Sequence, residues 1–176
     1  MAIHIIIIIK GVLMCFDKET NVKKRNGEIV RVSDLAVNDE IMTSESNEDS
    51  FTAVTNVTVV HGSFDAHKFI MEDGKTITVT SPHLMLVHKD GELKPMVAKD
   101  VQLHDIMSME GGKMSKIVEV ENLQIATKVN VETRAGTLFA NGIFVTGMCG
   151  EMPALEGKNA NDLLMEFKAN HQVLSF

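Results

Sequence analysis

Thr52-Ala53-Val54-Thr55-Asn56-Val57-Thr58-Val59-Val60 is dense in β-branched residues and alternates apolar with polar side chains over part of its length. Both features favour a pleated strand. Branching at Cβ crowds the preceding turn of a helix, and a period of two turns one face toward a core. Thr76-Ile77-Thr78-Val79-Thr80 and Lys128-Val129-Asn130-Val131-Glu132 alternate in the same way. Turn signals separate these runs at Asn26-Gly27, Asp73-Gly74, Asp90-Gly91, Gly111-Gly112 and Asn141-Gly142, where a glycine supplies the left-handed backbone a tight hairpin needs. Short strands punctuated in this way predict an all-β domain. One helix is expected outside it, about Asn159 to Ala169, with Asn159 or Asn161 as its cap and Leu163, Leu164 and Phe167 as its apolar face.

The β-rich region repeats itself. Gly27-Glu28 precedes Asp34-Leu35-Ala36-Val37-Asn38-Asp39, and Gly91-Glu92 precedes Asp100-Val101-Gln102-Leu103-His104-Asp105. Each half then enters a β-rich stretch, Ala53–Val57 or Ile117–Val120, and later a glycine turn and strand, Gly74-Lys75-Thr76 or Gly136-Thr137-Leu138. The offset is close to constant, 62 to 66 residues. Such a duplication predicts two similar β subdomains related by a pseudo-twofold axis.

A chain of 176 residues that is 44% hydrophobic can build one or two small domains with a real core. Seventeen basic against 24 acidic side chains leave a net charge of −7, which argues against nucleic acid as a partner, since phosphates demand clustered Lys and Arg. The one basic run, Lys23-Lys24-Arg25, abuts Asn26-Gly27 and reads as the solvated tip of a hairpin. Ile5–Ile9 is too short to span a bilayer and lacks the length and cleavage site of a signal peptide. The pairs His61/His67 and His83/His88 have no cysteine pair beside them, so neither zinc nor another cofactor is expected.

Two cysteines, Cys15 and Cys149, admit three readings: one bridge, two inert core thiols, or a nucleophile and a bystander. Cys15 opens a polar, turn-rich region after an apolar run. Thr80-Ser81-Pro82-His83 closes a strong strand, the proline holding Ser81 extended. Taken singly, each is more readily a structural residue than a catalytic one.

Taken in order, they resemble a family. Cys15-Phe16, then Thr20-x-Val22, Gly27 and Ser33-Asp34-Leu35-x-Val37-x-Asp39-x-Ile41 resemble the opening block of Hint domains, the hedgehog and intein class. Val79-Thr80-Ser81-Pro82-His83-Leu84 resembles their Thr-x-x-His block, and Gly136-Thr137-Leu138-Phe139-Ala140-Asn141-Gly142-Ile143-Phe144-Val145, followed by Cys149, resembles the closing block. The resemblance covers about residues 15–150, leaving 1–14 as an upstream segment and 151–176 as a tail. It implies the horseshoe of two β subdomains and a self-cleaving activity in cis on the upstream segment. Cys15 would attack the carbonyl of Met14, turning the Met14–Cys15 amide into a thioester. His83 would protonate the leaving amine and Thr80 would hold the scissile amide. His61, within Val59-Val60-His61-Gly62, loosely matches a group that assists the second step in hedgehog-type members.

Splicing inteins end in His-Asn before a Cys, Ser or Thr. Here the ending is Thr146-Gly147-Met148-Cys149, with Asn141 eight residues before the cysteine. The hedgehog-type ending is therefore the closer match, and downstream cleavage is not expected. Hedgehog proteins pass the thioester to a sterol recruited by a later region. Residues 151–176 are too few for that, so water, a small thiol or an amine is the expected acceptor. A hedgehog-like role would place the chain in the secretory pathway. The same fold would bring Cys15 near Cys149, making Cys149 a potential redox partner whose disulfide would silence the nucleophile. Two other readings stay open: an inactive Hint-like binding module and a bacterial-intein-like or splicing element. Ile3–Gly11 is similar to the last strand and tail of a ubiquitin-like fold, a hint about the upstream partner.

Overall fold

The computed structural model describes residues 15–46 and 48–147; Met14, Cys149, the expected helix about Asn159 to Ala169 and the Ile3–Gly11 stretch lie outside them. Strands dominate: β1 (Phe16–Asp17), β2 (Asn21–Lys23), β3 (Ile29–Arg31), β4 (Glu40–Glu45), β5 (Glu48–Met71), β6 (Thr76–Thr80), β7 (Leu84–Lys89), β8 (Glu92–Val97), β9 (Ile106–Met109), β10 (Lys113–Thr133), β11 (Thr137–Ala140) and β12 (Ile143–Thr146). One sheet runs β11-β12-β7-β9-β10-β1-β6-β5-β4 with β8 on β7, while β2 and β3 form a hairpin of their own. All five predicted turns form, with φ of 88° at Gly27, 90° at Gly74, 77° at Gly91, 83° at Gly111 and 77° at Gly142.

The strands are not uniformly short. β5 is 24 residues long and β10 is 21. They pair antiparallel from Met71↔Ile117 to Val54↔Thr133, with register shifts at Ile117/Glu119, Ile125/Thr127 and Glu132/Thr133. Those shifts let a long ribbon bend without a turn, so each half donates one arm to the other. Gly62-Ser63 has the composition of a break and sits at the register shift between Ile125 and Thr127, yet β5 runs through it because its flanks, His61 and Phe64, pair with Thr127 and Ile125.

The duplication is visible bond by bond. A 3₁₀ turn occupies Val32–Asp34 in one half and Ala98–Asp100 in the other. Asn38 and His104 then take left-handed φ values of 76° and 73°. Asp39 Oδ2 accepts the Ala36 N–H at 2.9 Å, and Asp105 Oδ2 accepts the Gln102 N–H at 2.9 Å. The Val54 N–H donates to the Asp39 carbonyl and the Ile117 N–H to the Asp105 carbonyl, at 2.8 and 2.9 Å. Lys24 and Lys89 pair with the same two aspartates.

Those ion pairs correct the view of the basic run as a solvated tip. Lys23 pairs with Glu110, Lys24 with Asp39 and Arg25 with Glu40, and the Arg25 guanidinium lies 4.9 Å from the centre of the Phe51 ring. The β2–β3 hairpin folds back onto the sheet, and acidic residues distant in sequence receive its charges.

The core gathers Phe16, Ile41, Phe69, Ile77, Val79, Met85, Met107, Ile117, Val129, Leu138 and Ile143. In β6 the alternation works as expected through Val79 and then fails, because Thr80 is buried as well. In β10 it fails over Asn130, Val131 and Glu132, all buried. Asn130 Nδ2 donates to Glu132 Oε1 at 3.1 Å, which satisfies part of that polar pair. Both departures flank one place in the fold.

Candidate functional site

β1 is only two residues long, but it is inserted between β10 and β6: Phe16 pairs with Val129 on one side and Val79 on the other. The residue before it, Cys15, is thereby buried, with 0% exposure, and is a free thiol. Phe16 anchors this start of the domain in the core, which fixes where the backbone of Cys15 must lie.

Thr80 holds that backbone from both sides. Its Oγ1 accepts the Cys15 N–H at 3.1 Å and donates to the Cys15 carbonyl at 3.3 Å, while its own N–H donates to the same carbonyl at 3.0 Å. The Cys15 nitrogen is one atom of the bond to residue 14. A threonine hydroxyl therefore touches the peptide unit that joins the upstream segment to the domain.

His83 follows in the turn after β6, its N–H donating to the Thr80 carbonyl at 3.0 Å. The ring is fully buried and its centroid lies 4.7 Å from that of Phe16. Nε2 meets the backbone carbonyl of Thr146 at 3.0 Å. A carbonyl can only accept, so Nε2 carries the proton and Nδ1 of the neutral ring bears a lone pair. Nδ1 is buried and has no hydrogen-bond partner among the described residues. Burial pushes the imidazole down to about 4, against the Thr146 carbonyl and the Cys15 backbone, which favour its charged form. Burial pushes the Cys15 thiol up to about 12, with the Lys128 ammonium acting in the opposite sense.

Cys15, Thr80 and His83 thus converge. His61 does not join them: it is exposed on β5, and its Nδ1 meets Thr127 Oγ1 at 3.1 Å. Thr146 was missed in the sequence, although the repeat pointed to it. It stands 66 residues after Thr80, ends β12 as Thr80 ends β6, and its Oγ1 donates to the Leu84 carbonyl at 2.6 Å. Asn141 is held in its turn: its Oδ1 accepts the Asn21 N–H at 2.7 Å and its Nδ2 donates to the Thr76 carbonyl at 2.8 Å. Among the described residues no group of three or more His, Cys, Asp or Glu side chains is arranged to hold a metal ion.

No protein-family model and no curated protein matches the chain significantly. Solved structures do. The gp41-1 intein superposes with a TM-score of 0.66 at 21% identity, covering 76% of this chain and 98% of that one. A DnaB intein from Synechocystis sp. PCC 6803 gives 0.66 at 16%, covering 77% and 99%. The bacterial intein-like domain from Clostridium thermocellum gives 0.64 at 18%, covering 75% and 97%. At these identities the likeness speaks for the fold. An all-β chain with two pseudo-twofold halves, superposing on inteins over nearly their whole length, has the Hint fold.

Proposed function

We propose that the chain is an autocatalytic self-processing domain of hedgehog-like type that cuts the Met14–Cys15 bond. The observation that carries the proposal is the Thr80 hydroxyl on the Cys15 N–H, with the buried Nδ1 of His83, which has no hydrogen-bond partner among the described residues. The chemistry follows from the tautomer. The thiol gives its proton to Nδ1 and its sulfur attacks the Met14 carbonyl carbon. As the C–N bond breaks, the imidazolium returns that proton to the Cys15 nitrogen, leaving a free amine and a thioester. Atoms and protons balance, and Thr80 keeps the nitrogen in place throughout. Water, a small thiol or another nucleophile then takes the acyl group.

The hedgehog-like subtype rests on the ending Thr146-Gly147-Met148-Cys149 and on Asn141, which is bound in a turn and supplies no terminal asparagine. A second reading has an observation of its own. A thiol with 0% exposure and a raised pKa suits an inert core cysteine, and hence a Hint-like module that only binds. Intact-mass measurement of the purified chain with and without dithiothreitol or hydroxylamine separates them. Loss of residues 1–14, accelerated by the added nucleophile and abolished in Cys15→Ala, is the expected result. An unchanged mass under every condition supports the inert module, and a further cut beside Cys149 supports a splicing element.

A further inference from the structure

Gly62 takes no positive φ, but an added Cβ there would lie 2.9 Å from Cζ of Phe64, so a side chain at this position would displace the ring. The Phe64 ring lies back over the glycine, and Lys128 Nζ sits 4.2 Å from the centre of that ring. An ammonium on an aromatic face is attracted by the ring quadrupole without being neutralised. Lys128 makes no ion pair with any described carboxylate; Asp17, opposite it in register, turns Oδ2 to the Glu19 N–H at 3.2 Å.

The register carries Lys128 toward the junction. Phe16 pairs with Val129 and Asp17 with Lys128. Extending the β1–β10 register by one residue sets Cys15 opposite Asn130. Cys15 and Lys128 are then diagonal neighbours on one face, a separation of about 7–8 Å between backbones that a long side chain spans.

We propose that Lys128, clamped on the Phe64 ring over Gly62, is the fixed positive charge that stabilises the Cys15 thiolate. The proposal deepens the self-processing reading and rests on it for its purpose, but not for its test. When the thiol loses its proton to Nδ1 of His83, the ammonium keeps its own three and faces the new sulfur charge. It is a positioning charge and not the base. The other titratable groups around the pair are Asp17 on β1, His61 on β5, His83 after β6 and Glu132 on β10, which is hydrogen bonded to Asn130. Lys128 is the group whose influence favours the thiolate.

Alkylation of Cys15 by iodoacetamide, followed by peptide mass mapping between pH 7 and 9, reads the thiolate fraction and distinguishes Cys15 from Cys149. In the full chain, Lys128→Met should slow Cys15 alkylation about tenfold at each pH, Lys128→Arg should restore it, and Gly62→Val should fall between. Circular dichroism checks that each variant is folded. Wild-type alkylation rates in folded Lys128→Met overturn the proposal. If Lys128→Met fails to fold, Phe64→Leu carries the same expectation, and a wild-type rate there overturns it equally. Slower alkylation in a protein that never releases residues 1–14 sustains the charge assignment and overturns the self-processing reading instead.

Discussion

Thr80 and Thr146 occupy the same slot in the two halves, each ending a strand and each donating its hydroxyl to a backbone carbonyl, Cys15 for one and Leu84 for the other. What surrounds them differs. The first slot opens on a residue whose N–H the hydroxyl also accepts. The second continues into ordinary strand, and its contribution to the site is a carbonyl that sets the tautomer of His83. One duplicated scaffold thus yields two unlike surroundings, one at the Cys15 backbone and one at the His83 ring. The lesson is that symmetry built the frame and asymmetry at the strand starts assigned the chemistry.

The comparison is broken most easily at the site. His83→Ala should lower the rate of residue 1–14 release by about 10²–10⁴-fold, measured by mass spectrometry in dithiothreitol, because the proton carrier is gone. Thr80→Val should lower it by about 10²–10³-fold. Thr146→Val should cost a similar on the order of 1–3 kcal/mol in stability by orphaning the Leu84 carbonyl, with the rate almost unchanged, since the backbone carbonyl that holds His83 survives. Equal rate losses in the two threonine variants would sink the division of labour.

pH sharpens it next. His83 titrates near 6.5 unfolded and about 4 folded, so between these values the unfolded chain binds the extra proton. Stability should be complete above pH 6.5 and fall by on the order of 3 kcal/mol as pH drops to 4. Cys15 acts at the other end. Its thiol titrates near 9 unfolded and about 12 folded, so its contribution is present below pH 9 and lost, by on the order of 4 kcal/mol, as pH rises toward 12. Urea melts at stepped pH should show the acid loss vanish in His83→Gln and the alkaline loss vanish in Cys15→Ala.

The turn aspartates offer a smaller contrast. Asp105 is 7% exposed and Asp39 has a side chain 23% exposed, so Asp105→Ala should cost on the order of 2–3 kcal/mol and Asp39→Ala about 1 kcal/mol in thermal or urea melts. Smallest is Arg25→Ala. Its exposed pair with Glu40 and its place on Phe51 should be worth less than about 1 kcal/mol.

The turns and the repeat were legible in the sequence because Gly after Asn, Asp or Gly reports a local backbone requirement. Thr80 and His83 were legible only through the ordered blocks that resemble Hint domains, because their nearness to Cys15 depends on pairing across 65 residues. The length of β5 was not legible, since Gly62 and Ser63 are locally turn residues and only the pairing of their flanks, His61 and Phe64, with β10 carries the strand through them. Nor was the fate of Lys23, Lys24 and Arg25, whose acidic partners lie 87 and 15 positions away. His61 had suitable chemistry and a loose motif, but the structure leaves it on an exposed stretch of ribbon with Thr127. Thr146 was available to anyone who extended the repeat to its last residue.

Under the proposed self-processing, the bond from His83 to the Thr146 carbonyl has a consequence in time. The nucleophile is made early in synthesis and the imidazole midway, yet the group that orients the ring is nearly the last piece of the second half to leave the ribosome. An incomplete nascent chain would hold cysteine and histidine without a fixed tautomer. On that reading, translation through β12 would act as an interlock that keeps the upstream segment attached until the second half is complete.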